Sequence, residues 1–144
     1  MTCYEELNLQ NHKITELSNV LSVLLKDRSL CDTETCCSIF YNYMDQVNDH
    51  MNKVDSNMYS DLLQHSSSDA NITANNFMSG SQEIKRIMKS YVKKWCGKIN
   101  HDISIGKGQH DMFLRETDEM FEMVLNRVQD EMEHLYPMVR KISA

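Results

Sequence analysis

Glu131 is the residue most in need of a chemical explanation. On a helix running from Gly108 to Lys141, at about 100° per residue, Phe113, Thr117, Met120, Val124, Val128, Leu135 and Met138 share one face, and Glu131 lies in the middle of it. A carboxylate in a helix core is costly unless it is paired, hydrogen-bonded or bound to a metal. His50 poses the same question. Cys36, Phe40, Tyr43, Val47, His50, Val54 and Met58 recur at spacings of three and four, which puts an imidazole on a core stripe. Near the start of the chain, His12 and Glu16 flank an apolar arc of Leu7, Ile14, Leu17, Val20, Leu21, Leu24 and Leu25. His12, His50 and Glu131 together are the ligand set of a mononuclear non-haem iron site with open positions. Glu16 and Asp55 are placed to add an oxygen or to brace a ligand. Without a metal, Glu131 would pair with Arg127, four residues earlier, or with His50, in a buried polar network.

A second constellation belongs to soft ligands. Cys36 opens one helix, Cys96 closes the next and His110 begins the last, with Cys31 and Cys37 close in sequence. Such a group could hold zinc, or its thiols could sense oxidants. The competing expectation is plain packing, with the cysteines as small hydrophobes and His110 as a helix-start residue; no Cys-x-x-Cys spacing is present. His65, His101 and His134 read as solvated, and Glu116, Asp118, Glu119, Glu122 and Glu133 as an exposed acidic face. No phosphate loop or nucleophile elbow occurs.

The elements that must position these residues follow from the same periodicity. A first helix is expected over Tyr4 to Asp27, and a second from an Asp32 or Thr33 cap to Gln64. A third should span Ile72 to Lys98, carrying Ala74, Phe77, Ser81, Ile84, Met88, Tyr91 and Trp95 on one stripe, and a fourth Gly108 to Lys141. Short connections make this an all-α, up-down-up-down four-helix bundle forming a single domain over residues 1–144. At about 1.5 Å per residue, His12, His50 and Glu131 then fall at nearly one height. Composition agrees with long helices around one core: 41% hydrophobic residues, 11 Met, 4 Gly and 1 Pro in 144 residues. A net charge of -6 argues against nucleic acid or an anionic membrane as partner. No apolar run approaches a membrane span, the first residues do not read as an export signal, and the five cysteines suit reduced thiols in the cytoplasm.

A repeat adds to this reading. His50 to Ser60 lies over Arg127 to Pro137 at a shift of 77 residues, so that Met58-Tyr59 matches Leu135-Tyr136, Val54 matches Glu131, and His50 matches Arg127. With Asn11-His12 in the first helix, these motifs resemble the hemerythrin-like (His-His-Glu cation-binding) family over essentially the whole chain. The resemblance implies a four-helix bundle with non-haem iron in its core, binding or sensing O2 or NO or handling iron. Val54 stands where that family has a bridging Glu, Arg127 where it has a His, and the third helix offers no His. The expectation is therefore a reduced site with one iron per chain, held by His12, His50 and Glu131. No residue pattern identifies a substrate for turnover. Two other readings stand beside it: a metal-free bundle acting through protein–protein contacts, and a thiol redox sensor built on Cys36 and Cys96.

Overall fold

The computed structural model describes residues 3–97 and 102–143. Helices α1 (Cys3–Leu24), α2 (Glu34–Asn57), α3 (Ser60–Gln64), α4 (Ser68–Trp95) and α5 (His110–Asp130) are followed by a π turn, Glu131–Leu135, and α6 (Tyr136–Ser143). The long helices α1, α2, α4 and α5 form an all-α four-helix bundle. Each packs on its neighbours around a ring, α1 on α2, α2 on α4, α4 on α5 and α5 on α1. Short α3 lies against α4 and α6 at one end.

Local chemistry sets the boundaries. Thr33 caps α2 by accepting from the Cys36 amide at 3.3 Å. The second helix does not run unbroken to Gln64: it stops at Asn57, whose side chain bonds the Lys53 carbonyl, and the chain bends at Met58 and Tyr59 before α3. The third begins at Ser68, earlier than expected, where the Asn71 side chain ties back to the Ser67 and His65 carbonyls. Its expected end at Lys98, like His101, lies outside the described residues. The connection into α5 is pinned by an antiparallel bridge between Cys96 and Ile103, and it turns at Gly108, where φ is 76° and a side chain would be strained.

The core divides in two. A large cluster runs from Ile14, Val47, Met88 and Val128 toward Trp95 and Phe113, and a smaller one gathers Leu7, Val54, Ala74 and Leu135. On every long helix a polar residue sits between the two: Asn11 on α1, His50 on α2, Ser81 on α4, and Glu131 where α5 ends. The polar layer therefore crosses the whole bundle. Apolar burial on both sides, worth about 1.5–3 kcal/mol per large side chain, supplies the stability that lets it exist.

Candidate functional site

The polar layer centres on Glu131, which is fully buried (0% exposed). His50 Nε2 lies 2.5 Å from Glu131 Oε1, and the Tyr136 hydroxyl donates to the same oxygen at 3.0 Å. Arg127 Nε donates to Oε2 at 2.8 Å. The guanidinium is itself held in place: Nη1 donates to the Phe77 carbonyl at 2.7 Å and Nη2 to the Tyr59 hydroxyl at 2.9 Å, with the Phe77 ring 4.8 Å from Arg127 Cζ. Gly80 makes room for it, since a Cβ there would stand 3.0 Å from Nη1.

The hydrogen bonds of His50 can be assigned from its neighbours. Its Nδ1 lies 3.0 Å from Gln10 Oε1, and Gln10 turns that oxygen inward because its Nε2 donates outward to Asp49 Oδ2 at 3.0 Å. Both ring nitrogens thus face side-chain oxygens and are hydrogen-bonded. Burial alone would raise the Glu131 carboxyl; the hydrogen bond and charge of His50, together with the Arg127 guanidinium, outweigh it and hold Glu131 below the ordinary carboxylate range. Burial pushes the Tyr136 hydroxyl far up, so it stays a donor.

Two breaks in regular helix aim the tyrosines. In the π turn the Tyr136 amide bonds the Glu131 carbonyl, five residues back, which returns Tyr136 to the face that carries Glu131. The cause lies in the sequence. Pro137 has no amide to offer, and its ring would clash with the Glu133 carbonyl in a continuous α-helix. Beyond this turn the buried position is Val139, with Met138 only partly covered. The bend after α2 likewise buries Tyr59 and directs its hydroxyl to Arg127.

His50 and Glu131 meet as expected, but His12 does not join them. It is exposed, as is Glu16. The buried line of α1 is Leu7, Asn11, Ile14, Ser18 and Leu21, continued by Leu25 just past the helix, an unbroken alternation of four and three. Val20, counted in the expected arc, is 48% exposed. Asn11 occupies the place in the layer expected for His12, one residue and so about 100° away; it donates to the Tyr136 hydroxyl at 3.3 Å. Asp55 turns to α4, accepting from Ser81 Oγ at 3.0 Å and Lys85 Nζ at 2.8 Å. An iron site needs several imidazole or carboxylate lone pairs converging on one point. Here both carboxylate oxygens and both nitrogens of His50 are engaged in hydrogen bonds, and a guanidinium stands beside them. These side chains turn to one another rather than to a shared vacant point, and among the described residues no three His, Cys, Asp or Glu side chains form a group that could hold a metal.

At the other end, Cys31, Cys36, Cys37 and Cys96 are buried free thiols. Burial, helped by Cys37, Cys31 and Asp32, pushes Cys36 up to about 11. Burial also raises Cys31 and Cys96. His110 does not complete a ligand set: its Nε2 bonds the Leu25 carbonyl at 2.8 Å and its ring stacks on Phe113. A reactive thiol needs a low pKa and access to solvent; all four are buried, and Cys31, Cys36 and Cys96 are raised rather than lowered.

Sequence reasoning missed Gln10 and Asn11 as members of the layer, and the convergence of both tyrosines on it. The signals were present: Asn11 continues the spacing from Leu7 to Leu25, and Tyr59 and Tyr136 are the matched pair of the internal repeat. Comparison with protein-family models, with curated proteins and with solved structures yields no match. The hemerythrin-like resemblance therefore rests on the motif residues themselves.

Proposed function

We propose that this chain is a metal-free helical bundle that acts through contact with another protein, its buried polar layer fixing the register of the helices. One observation carries this reading: Arg127 supplies a permanent cation to Glu131 from within the same helix, so the carboxylate needs no metal. A layer that touches all four long helices can make one alignment of the bundle better than its neighbours. The molecule's outward chemistry is then that of its surface. The five free thiols suit a reducing compartment such as the cytoplasm, and the charge of -6 disfavours nucleic acid as partner. No helix among the described residues is long and apolar enough to cross a membrane.

A second reading has a specific observation behind it. Gln10 braces His50 at Nδ1, as an outer partner braces a metal-bound imidazole, so iron held by His50 and Glu131 and open to O2 or NO is the competing function. Metal analysis of protein purified without a tag, followed by anaerobic Fe(II) titration, separates the two. The metal-free reading expects no stoichiometric iron or zinc and no saturable Fe(II) binding. One iron per chain would establish the competitor.

A further inference from the structure

We propose that the seam between α4 and the rod formed by α5, the π turn and α6 binds a cationic amphipathic helix of another protein. The inference rests on the contact-based function proposed above and names the partner's chemistry. Three cavities of about 580, 570 and 320 Å³ lie along this seam. They are continuous: Asn76, Phe77 and Asp130 line the first and second, and Glu119 and Met123 the first and third. From Glu116 to Glu133 the rod is about 25 Å long, the length of a helix of about 17 residues.

The two walls differ in chemistry. Asn76 and Ser90 on α4 line the seam, and Phe77, Ile84 and Met123 give it an apolar floor. On the rod, Glu119, Met123, Asn126, Asp130 and Glu133 recur at alternating spacings of four and three, so they form one straight edge. Glu119 and Asp130 on that edge, with Glu122 beside it, have no cationic partner among the described residues. Three of the nearby cations are already committed, Arg86 to Glu83 at 2.5 Å, Lys94 to Glu116 at 2.7 Å, and Arg127 to Glu131 at 2.8 Å, and exposed Arg115, beside Glu116, stands at the α5 end of the edge. Lys141 stands only at the far end, beyond His134. What complements this surface is a helix with an apolar stripe for the floor and Lys or Arg beside it for the carboxylate edge. A second copy of this chain carries the same net charge of -6 and would set acid against acid.

The test uses the full chain and a fluorescent synthetic helix of about 18 residues, with leucines on one stripe and lysines and arginines flanking it. Two controls accompany it: a scrambled peptide of identical composition and one with glutamates in place of the cations. Parent protein is expected to bind the amphipathic cationic peptide alone, with an affinity that falls as salt rises. The triple variant Glu119→Gln, Glu122→Gln, Asp130→Asn changes only exposed side chains and should bind about tenfold more weakly. Met123→Ser should weaken binding without changing its salt dependence. Equal binding by the triple variant, or by the scrambled peptide, overturns the proposal. So does a dimer in sedimentation that the triple variant abolishes, which would assign the seam to a second copy. Stoichiometric iron with peptide binding intact would defeat the metal-free reading and leave the seam standing. Loss of peptide binding in a metal-free protein would defeat the seam alone.

Discussion

At Glu131 the physical problem is to keep an ionised carboxylate buried in a core, and three donors solve it: His50, Arg127 and Tyr136. A buried pair is stabilising only relative to its half-broken form, because removing one partner leaves the other desolvated and unanswered. Arg127→Met should therefore cost about 3–5 kcal/mol in urea unfolding. The triple replacement His50→Leu, Arg127→Met, Glu131→Leu removes every charge at once and should recover most of that loss. A triple variant as unstable as the single one would mean that packing, not charge, sets the cost. The sign of the acid response follows from the same contacts. Glu131 is held below its ordinary value of 4.5 in the folded state, so its contribution is complete above that value and is lost as pH falls through the folded-state value. Urea melts between about pH 3 and about pH 7 should show a flatter acid limb for Glu131→Gln than for the parent; superimposable limbs would count against this. The need for a partner was legible in the sequence, because Glu131 interrupts an apolar stripe, and Arg127 and His50 were its candidate partners. The place of His12 was not. It neighbours Asn11 on the helix, and a wide apolar arc leaves the buried line uncertain by one position until the other helices are set against it.

At the scale of the element, the informative features are the interruptions. Periodicity carried the α2 stripe from Cys36 to Met58 and the α4 stripe from Ala74 to Trp95, because unbroken helices repeat faithfully. It could not foresee the π turn, which adds one residue to a turn and moves the buried position onward to Val139. The chain's single proline was the available clue. If the turn accommodates an extra residue, deleting Met132, which is 41% exposed within it, together with Pro137→Ala to remove the ring that bars a continuous helix, should let an α-helix close with Tyr136 still facing Glu131. That double change should alter stability by no more than about 1 kcal/mol, whereas deleting Glu122 from the regular part of α5 should cost more than about 3 kcal/mol by rotating the buried stripe. Thermal unfolding of the two deletions decides this, and equal losses would contradict the role given to the π turn. The bend after α2 has the same character: it ends a stripe early and places Tyr59 on Arg127.

On the scale of the whole molecule, apolar clusters on either side of a polar layer account for the fold. Four amphipathic stripes with short connections were enough to specify the bundle, since each stripe must be buried against the others. The acidic edge of α5 was equally legible as an exposed face. Its role as one wall of a groove was not, because that depends on which helix faces it. The cysteine end shows the reverse: residues with metal-binding chemistry converge in one region of the chain, yet burial turns them into packing. Common to all three scales is a Glu131 answered from inside the protein. The most direct test is the melting temperature of untagged parent protein with chelator, with added Fe(II), and with neither. A ligand bound only to the folded state raises that temperature by mass action, and its removal lowers it. The account predicts the same melting temperature in all three conditions; a fall with chelator or a rise with Fe(II) would contradict it.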